Sequence, residues 1–122
     1  MDHKQVMIWH LKWTNDLENA LREGHPVNPK DLGRDDLCDV GKWLKGDGAQ
    51  YSDLPEFQEF EALHAAFHKK VCEAAKRAQN ENDPDALHEF DVGGECDDRS
   101  LDLAQKSHDL FAAIAARENE KA

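Results

Sequence analysis

Residues 60–68 read Phe60-Glu61-Ala62-Leu63-His64-Ala65-Ala66-Phe67-His68. Phe60, His64 and Phe67 recur at steps of four and three, the period of a helix with one buried face. Phe57, Val71, Ala74 and Ala78 continue that stripe in both directions. The spacing predicts a long helix that opens at Leu54-Pro55-Glu56, where proline is tolerated in the first turn, and that stops before Asn80-Glu81-Asn82-Asp83-Pro84. Two imidazoles interrupt the stripe. Four residues of helix rise about 6 Å and turn about 400°, so His64 and His68 leave the same face and can grip one ion together. As plain core histidines each would need a hydrogen-bond partner or carry a desolvation cost.

Upstream, Val6, His10, Trp13, Leu17 and Leu21 follow the same steps, which predicts a first helix from about residue 3 to Glu23, stopped by Gly24-His25-Pro26. A second, shorter helix is expected over residues 30 to 46, between Pro29-Lys30-Asp31 and Lys45-Gly46-Asp47-Gly48. Downstream, Ala86 to Phe90 reads as a helical turn. A last helix is expected from about Asp97 to Arg117, with Leu103, Leu110, Phe111 and Ile114 facing inward and the charged end from Ala116 to Ala122 frayed. Four helical segments joined by short connections, each with one apolar stripe and one charged face, predict an all-α fold. The expected architecture is an antiparallel four-helix bundle with a metal site inside it. A length of 122 residues fits one domain spanning 1–122.

A formal charge of −11, from 26 acidic against 15 basic side chains, repels phosphate backbones and anionic headgroups, so neither nucleic acid nor membrane is an expected partner. No run approaches the roughly 20 apolar residues of a membrane span. Met1-Asp2-His3-Lys4 leads into an amphipathic segment rather than a signal sequence, and the expected location is cytoplasmic. Cys38, Cys72 and Cys96 form an odd set with dissimilar surroundings, which reads as reduced thiols rather than a disulfide framework.

Two histidines do not close a metal site. The remaining candidates are His10 and Cys38, and three His with one Cys would make a tetrahedral zinc centre. Cys72 extends the 64, 68 series by another step of four and is the alternative sulfur, although a small buried residue is its plainer reading. Gly41, one turn after Cys38, would let another helix or a ring approach closely. Asp35, Asp36 and Asp39 flank Cys38 and could each meet the second nitrogen of a ligand imidazole, with Asp35, three residues before Cys38, the favoured one. Cys96, after Gly93-Gly94-Glu95, reads as exposed, and His3, His25, His88 and His108 as surface or locally bonded residues.

Together, His10-Leu11-Lys12-Trp13, Cys38-Asp39-Val40-Gly41-Lys42-Trp43-Leu44-Lys45-Gly46 and His64-Ala65-Ala66-Phe67-His68 resemble the chemoreceptor zinc-binding (CZB) domains of bacterial chemoreceptors and diguanylate cyclases. Separations of 28 residues from His10 to Cys38 and 26 from Cys38 to His64 are similar to that family's. The resemblance covers about residues 6 to 111, and Cys-x-x-Gly-Lys-Trp-Leu is its most specific part. It implies a zinc ion held by His10, Cys38, His64 and His68 within a four-helix bundle, regulating an output domain. No signalling or cyclase domain accompanies it in these 122 residues.

Four protein ligands leave no open position for substrate or activated water, so an enzyme is not expected. Three neutral imidazoles and one thiolate leave the centre with a charge of +1, which suits a site that exchanges its ion. The expected function is a cytoplasmic sensory module that responds to zinc and regulates a signalling partner, of chemoreceptor or diguanylate cyclase type, as a homodimer or through that partner. A redox sensor in which hypochlorous acid attacks the zinc-bound cysteine, and a structural zinc-stabilised adaptor, are the alternatives. Glu61-Ala62-Leu63-His64 has the Glu-x-x-His spacing of di-iron bundles, but a second such motif is missing.

Overall fold

The computed structural model describes residues 2–34, 36, 38–91 and 93–121. Among them every regular element is helical: α1 (His3–Arg22), α2 (Pro29–Leu32), α3 (Asp39–Lys45), a 3-10 helix (Asp47–Tyr51), α4 (Pro55–Asn80), a second 3-10 helix (Pro84–Phe90) and α5 (Glu95–Lys121). None of these helices is long and apolar enough to cross a membrane.

Asp2 caps α1 through a capping box: its side chain accepts the Gln5 N–H at 2.8 Å, and Gln5 Oε1 accepts the Asp2 N–H at 2.9 Å. Pro55 sits in the first turn of α4, as expected, and α4 ends at Asn80, just before Asn82 turns the chain at a φ of 51°. The predicted stripe is the buried one, with Phe57, Phe60, His64, Phe67, Val71 and Ala74 all facing inward. Burying side chains of this size is worth about 1.5–3 kcal/mol each, and Val6 and Leu17 of α1, Val40 and Leu44 of α3, Phe90, and Leu103 and Leu110 of α5 complete one core with them.

Cross-links fix how the long helices run. Lys70 pairs with Glu95, Lys106 with Glu59, and Arg117 with Asp53 at 2.7 Å, so rising numbers on α4 meet falling numbers on α5. The His3 and Ser107 side chains meet at 3.0 Å, as do those of His10 and Ser100, so α1 also runs against α5. Gln79 ties the α1–α2 loop to the end of α4 by exchanging two hydrogen bonds with the Val27 backbone, at 2.7 and 2.8 Å.

Three sequence expectations differ from the structure. The second helix is not continuous over 30 to 46; it is α2 and α3 separated by residues 33–38. Arg34 grips Asp36 with a two-pronged ion pair at 2.8 and 3.1 Å, which residues two apart on a helix cannot make because they point to opposite sides. The last helix begins earlier and continues to Lys121 rather than fraying from Ala116. Cys96 is buried, 1% exposed, because Gly94 lets the start of α5 lie directly against the Pro84–Phe90 helix: a Cβ there would sit 2.5 Å from the Glu89 carbonyl oxygen.

Candidate metal centre

Cys38 stands at the start of α3 as its N-cap, with extended backbone (φ −82°, ψ 160°). Its sulfur accepts the Gly41 N–H at 3.3 Å, and a hydrogen bond to the anionic form favours thiolate. Gly41 therefore serves the site through its backbone amide. His64 and His68 project from the middle of α4, one turn apart, into the same interior space.

Three donor atoms converge there. His64 Nε2 lies 3.1 Å from Cys38 Sγ and 3.2 Å from His68 Nε2, and the three ligand atoms all fall within 4.8 Å of one another. All three residues are buried, Cys38 to 5% exposure and the histidines to 2%. His68 Nδ1–H donates to the Leu32 carbonyl at 2.8 Å, which leaves Nε2 as the nitrogen carrying a lone pair toward the cluster. Burial, and after it the proximity of His68, His10 and Lys45, lowers the His64 pKa to about 3, so this imidazole is neutral at physiological pH. Its Nδ1 is buried without a hydrogen-bond partner among the described residues.

Sulfur and nitrogen lone pairs facing one another in a dry interior are the chemistry of a cation site. Tetrahedral zinc with Zn–N near 2.0–2.1 Å and Zn–S near 2.3 Å places nitrogens about 3.3 Å apart and sulfur about 3.5 Å from nitrogen. The His64 Nε2 separations of 3.2 Å from His68 Nε2 and 3.1 Å from Cys38 Sγ lie within a few tenths of an ångström of these, and the third pair, Cys38 Sγ and His68 Nε2, falls within 4.8 Å, so the donor set suits zinc once Cys38 and His68 draw together on the ion.

His10 is beside this trio but not of it. Its ring packs on Phe67 at 4.5 Å, burial and then His68 lower its pKa to about 4, and its Nε2 shares a hydrogen bond with Ser100 Oγ at 3.0 Å. Cys72 is half-buried and does not join the cluster. Glu61, the carboxylate of the Glu-x-x-His spacing, pairs with Lys45 at 3.7 Å, and no carboxylate among the described residues joins the trio. Asp35, the expected orienting carboxylate, lies outside the described residues. In its place the structure shows a backbone carbonyl, that of Leu32, orienting His68. Trp13 covers the other flank of His68 at 4.9 Å between ring centres. Nothing in the sequence pairs residue 10 with 100 or 32 with 68; those contacts exist only once the helices pack.

A family model described as the chemoreceptor zinc-binding domain matches residues 10–75, more than half of the chain. The chain belongs to the CZB family. The matched segment starts at His10 and contains Cys38, His64 and His68, so the buried trio of this CZB domain falls wholly inside it. Comparison with curated proteins gave no match, and comparison with solved structures gave none either.

Proposed function

We propose that this CZB domain is a zinc-responsive regulatory module in which Cys38, His64, His68 and His10 hold one Zn2+, and zinc occupancy controls a signalling partner. The observation that carries the reading is the convergence of Cys38 Sγ with the Nε2 atoms of His64 and His68 in the interior. In this reading His10 is the fourth ligand, and Ser100 is the alternative partner of its imidazole. The proposed architecture is one domain over 1–122 in which α1, the α2–α3 arm, α4 and α5 form an antiparallel four-helix bundle. The pairings along α4 and α5 and along α1 and α5 support it.

When bound, zinc supplies a charge that holds four buried polar groups together. The chain's own residues do the rest. The Leu32 carbonyl holds the His68 proton on Nδ1, the Gly41 amide favours the Cys38 thiolate, and Phe60, Phe67 and Trp13 pack against the histidine rings. Removing the ion leaves those donors without their common partner and loosens the contact between α3 and α4. With four protein ligands the domain regulates rather than catalyses.

We place the module in the cytoplasm, acting as a homodimer or on a separate signalling protein of chemoreceptor or diguanylate cyclase type. Among the described residues, the large apolar side chains that stand exposed, Ile8, Leu11 and Leu101, belong to α1 and α5, which supports those helices as the partner-facing surface. A redox version is favoured by the cleft that reaches Cys38. There the thiolate would attack the chlorine of hypochlorous acid, release hydroxide and, after hydrolysis to sulfenic acid and chloride, lose its hold on the ion.

Competition titration tests the site. Wild-type protein and the Cys72→Ala and Cys96→Ala variants should bind one zinc per chain with similar affinity, and Cys38→Ala at least a hundredfold more weakly. Equal affinity in Cys38→Ala and wild type would remove the proposal.

A further inference from the structure

The donors at the candidate centre are buried by 95% or more, so an ion cannot reach them through the packed core. Phe60 stacks on His64 at 6.2 Å, Phe67 stands edge-on to His68 at 5.8 Å, and Val40 and Leu44 close the α3 side in the same core. On one flank the packing opens. A cleft of about 240 Å³, lined by Trp9, Trp13, Leu32 and Arg34, ends on Cys38 and His68. His64 does not line it and lies behind the other two donors.

We propose that this cleft is the path by which a metal ion, and any small chelating molecule that removes it, reaches the site. The inference rests on the zinc reading above and adds to it a route and the residues that set its rate. Two features of the cleft suit a divalent cation. Its volume of about 240 Å³ leaves room for water molecules beside the donors. The donors it meets are Cys38 and His68, the two whose lone pairs are set by the Gly41 amide and the Leu32 carbonyl. Asp31 stands exposed at its edge.

The Arg34 guanidinium at the same edge is engaged by Asp36 and also interacts with the Asp31 carboxylate. The tryptophans form the opposite wall. Trp9 stacks on Trp13 at 6.2 Å with the rings 19° from parallel, and Trp13 in turn packs on His68. Trp13 therefore supports a donor as well as bounding the route, whereas Trp9 packs at the core's edge and, among the described residues, its aromatic contact is with Trp13. Trp9 is the residue whose removal widens the passage while leaving the donors in place.

A route determines rates of entry and exit together and leaves the equilibrium between them unchanged. The experiment uses zinc-loaded full-length protein mixed with excess chromogenic chelator in a stopped-flow instrument, with entry followed by cobalt(II) absorption. Trp9→Ala should accelerate both metal release and metal uptake at least threefold. Asp31→Trp, which narrows the mouth at an exposed position, should slow both at least threefold. The dissociation constant should stay within twofold of wild type in each.

Wild-type rates in both variants would overturn the route. A change in release without a matching change in uptake would also overturn it, because it would mean that the residue holds the ligands rather than bounds a path. Failure of the wild-type protein to bind metal would refute the zinc reading itself. Should Trp9→Ala lose its helical circular dichroism, the Asp31→Trp arm decides the question alone.

Discussion

Cys38 combines two roles that a cysteine rarely holds together: it caps a helix and presents its sulfur to two imidazoles. Its thiol was recognisable from motif spacing, but the reason it suits a cation lies in the N–H that Gly41 aims at it. His10 shows the reverse. Its helical step on α1 marks it as inward-facing, and it is buried to 5% exposure, yet its Nε2 goes to Ser100 rather than to the trio. If Ser100 and the ion compete for that nitrogen, Ser100→Ala frees it. The hydrogen bond is worth about 1 kcal/mol, so zinc affinity should rise about fivefold in Ser100→Ala, read by chelator competition. Weaker binding would mean instead that Ser100 orients His10 while the other ring nitrogen serves the ion.

The three long helices were legible because their apolar residues keep a period near 3.6 over about three to six turns, and that signal survives any packing. The break between α2 and α3 was not, since Asp31, Gly33, Arg34 and Asp36 interrupt helix only weakly by propensity. What stops the helix is the Arg34–Asp36 fork and the extended backbone at Cys38, both set by local geometry. The shared face of His64 and His68 was likewise legible from spacing, whereas the contacts of His68 with Leu32 and of His10 with Ser100 were not, because contacts across 36 and 90 residues leave no periodic trace. Cys96 illustrates the same limit at a helix start. Adjacent glycines resemble an exposed turn, yet Gly94 is small because the Glu89 and His88 carbonyls lie 2.5 and 2.6 Å from where its Cβ would be. Gly94→Ala must push α5 away from the Pro84–Phe90 helix, at a cost of about 1–3 kcal/mol, measurable by urea denaturation. Burial holds the Cys96 thiol pKa up to about 12, so this cysteine should be the slowest of the three to alkylate in wild type and should react faster in Gly94→Ala. Unchanged labelling would show that the close approach does not seal it.

At the scale of the whole molecule, metal, protons and association act on one packed unit. If α1 and α5 carry the partner surface, light scattering should show a dimer whose population changes when zinc is chelated, and a concentration-independent monomer in both conditions would count against it. Protons give the sharper test of the interior. Burial lowers the folded-state pKa of His10 to about 4 and of His64 to about 3, against 6.5 for an exposed histidine. Between pH 6.5 and those values the unfolded chain binds protons that the folded chain refuses, so stability falls as pH falls through this window. Each pKa unit corresponds to about 1.4 kcal/mol, and lowering the pH from 7.5 to 5 should therefore cost the chelator-treated protein about 2 kcal/mol for each of the two histidines. His64→Gln should remove about half of that dependence. Zinc adds to the slope, because protons must displace it from the same nitrogens, and the loaded protein should lose its ion over the same range. Denaturant titrations at the two pH values, with and without zinc, measure both effects; a stability independent of pH between 7.5 and 5 in the chelated protein would mean that these imidazoles are not held neutral by burial.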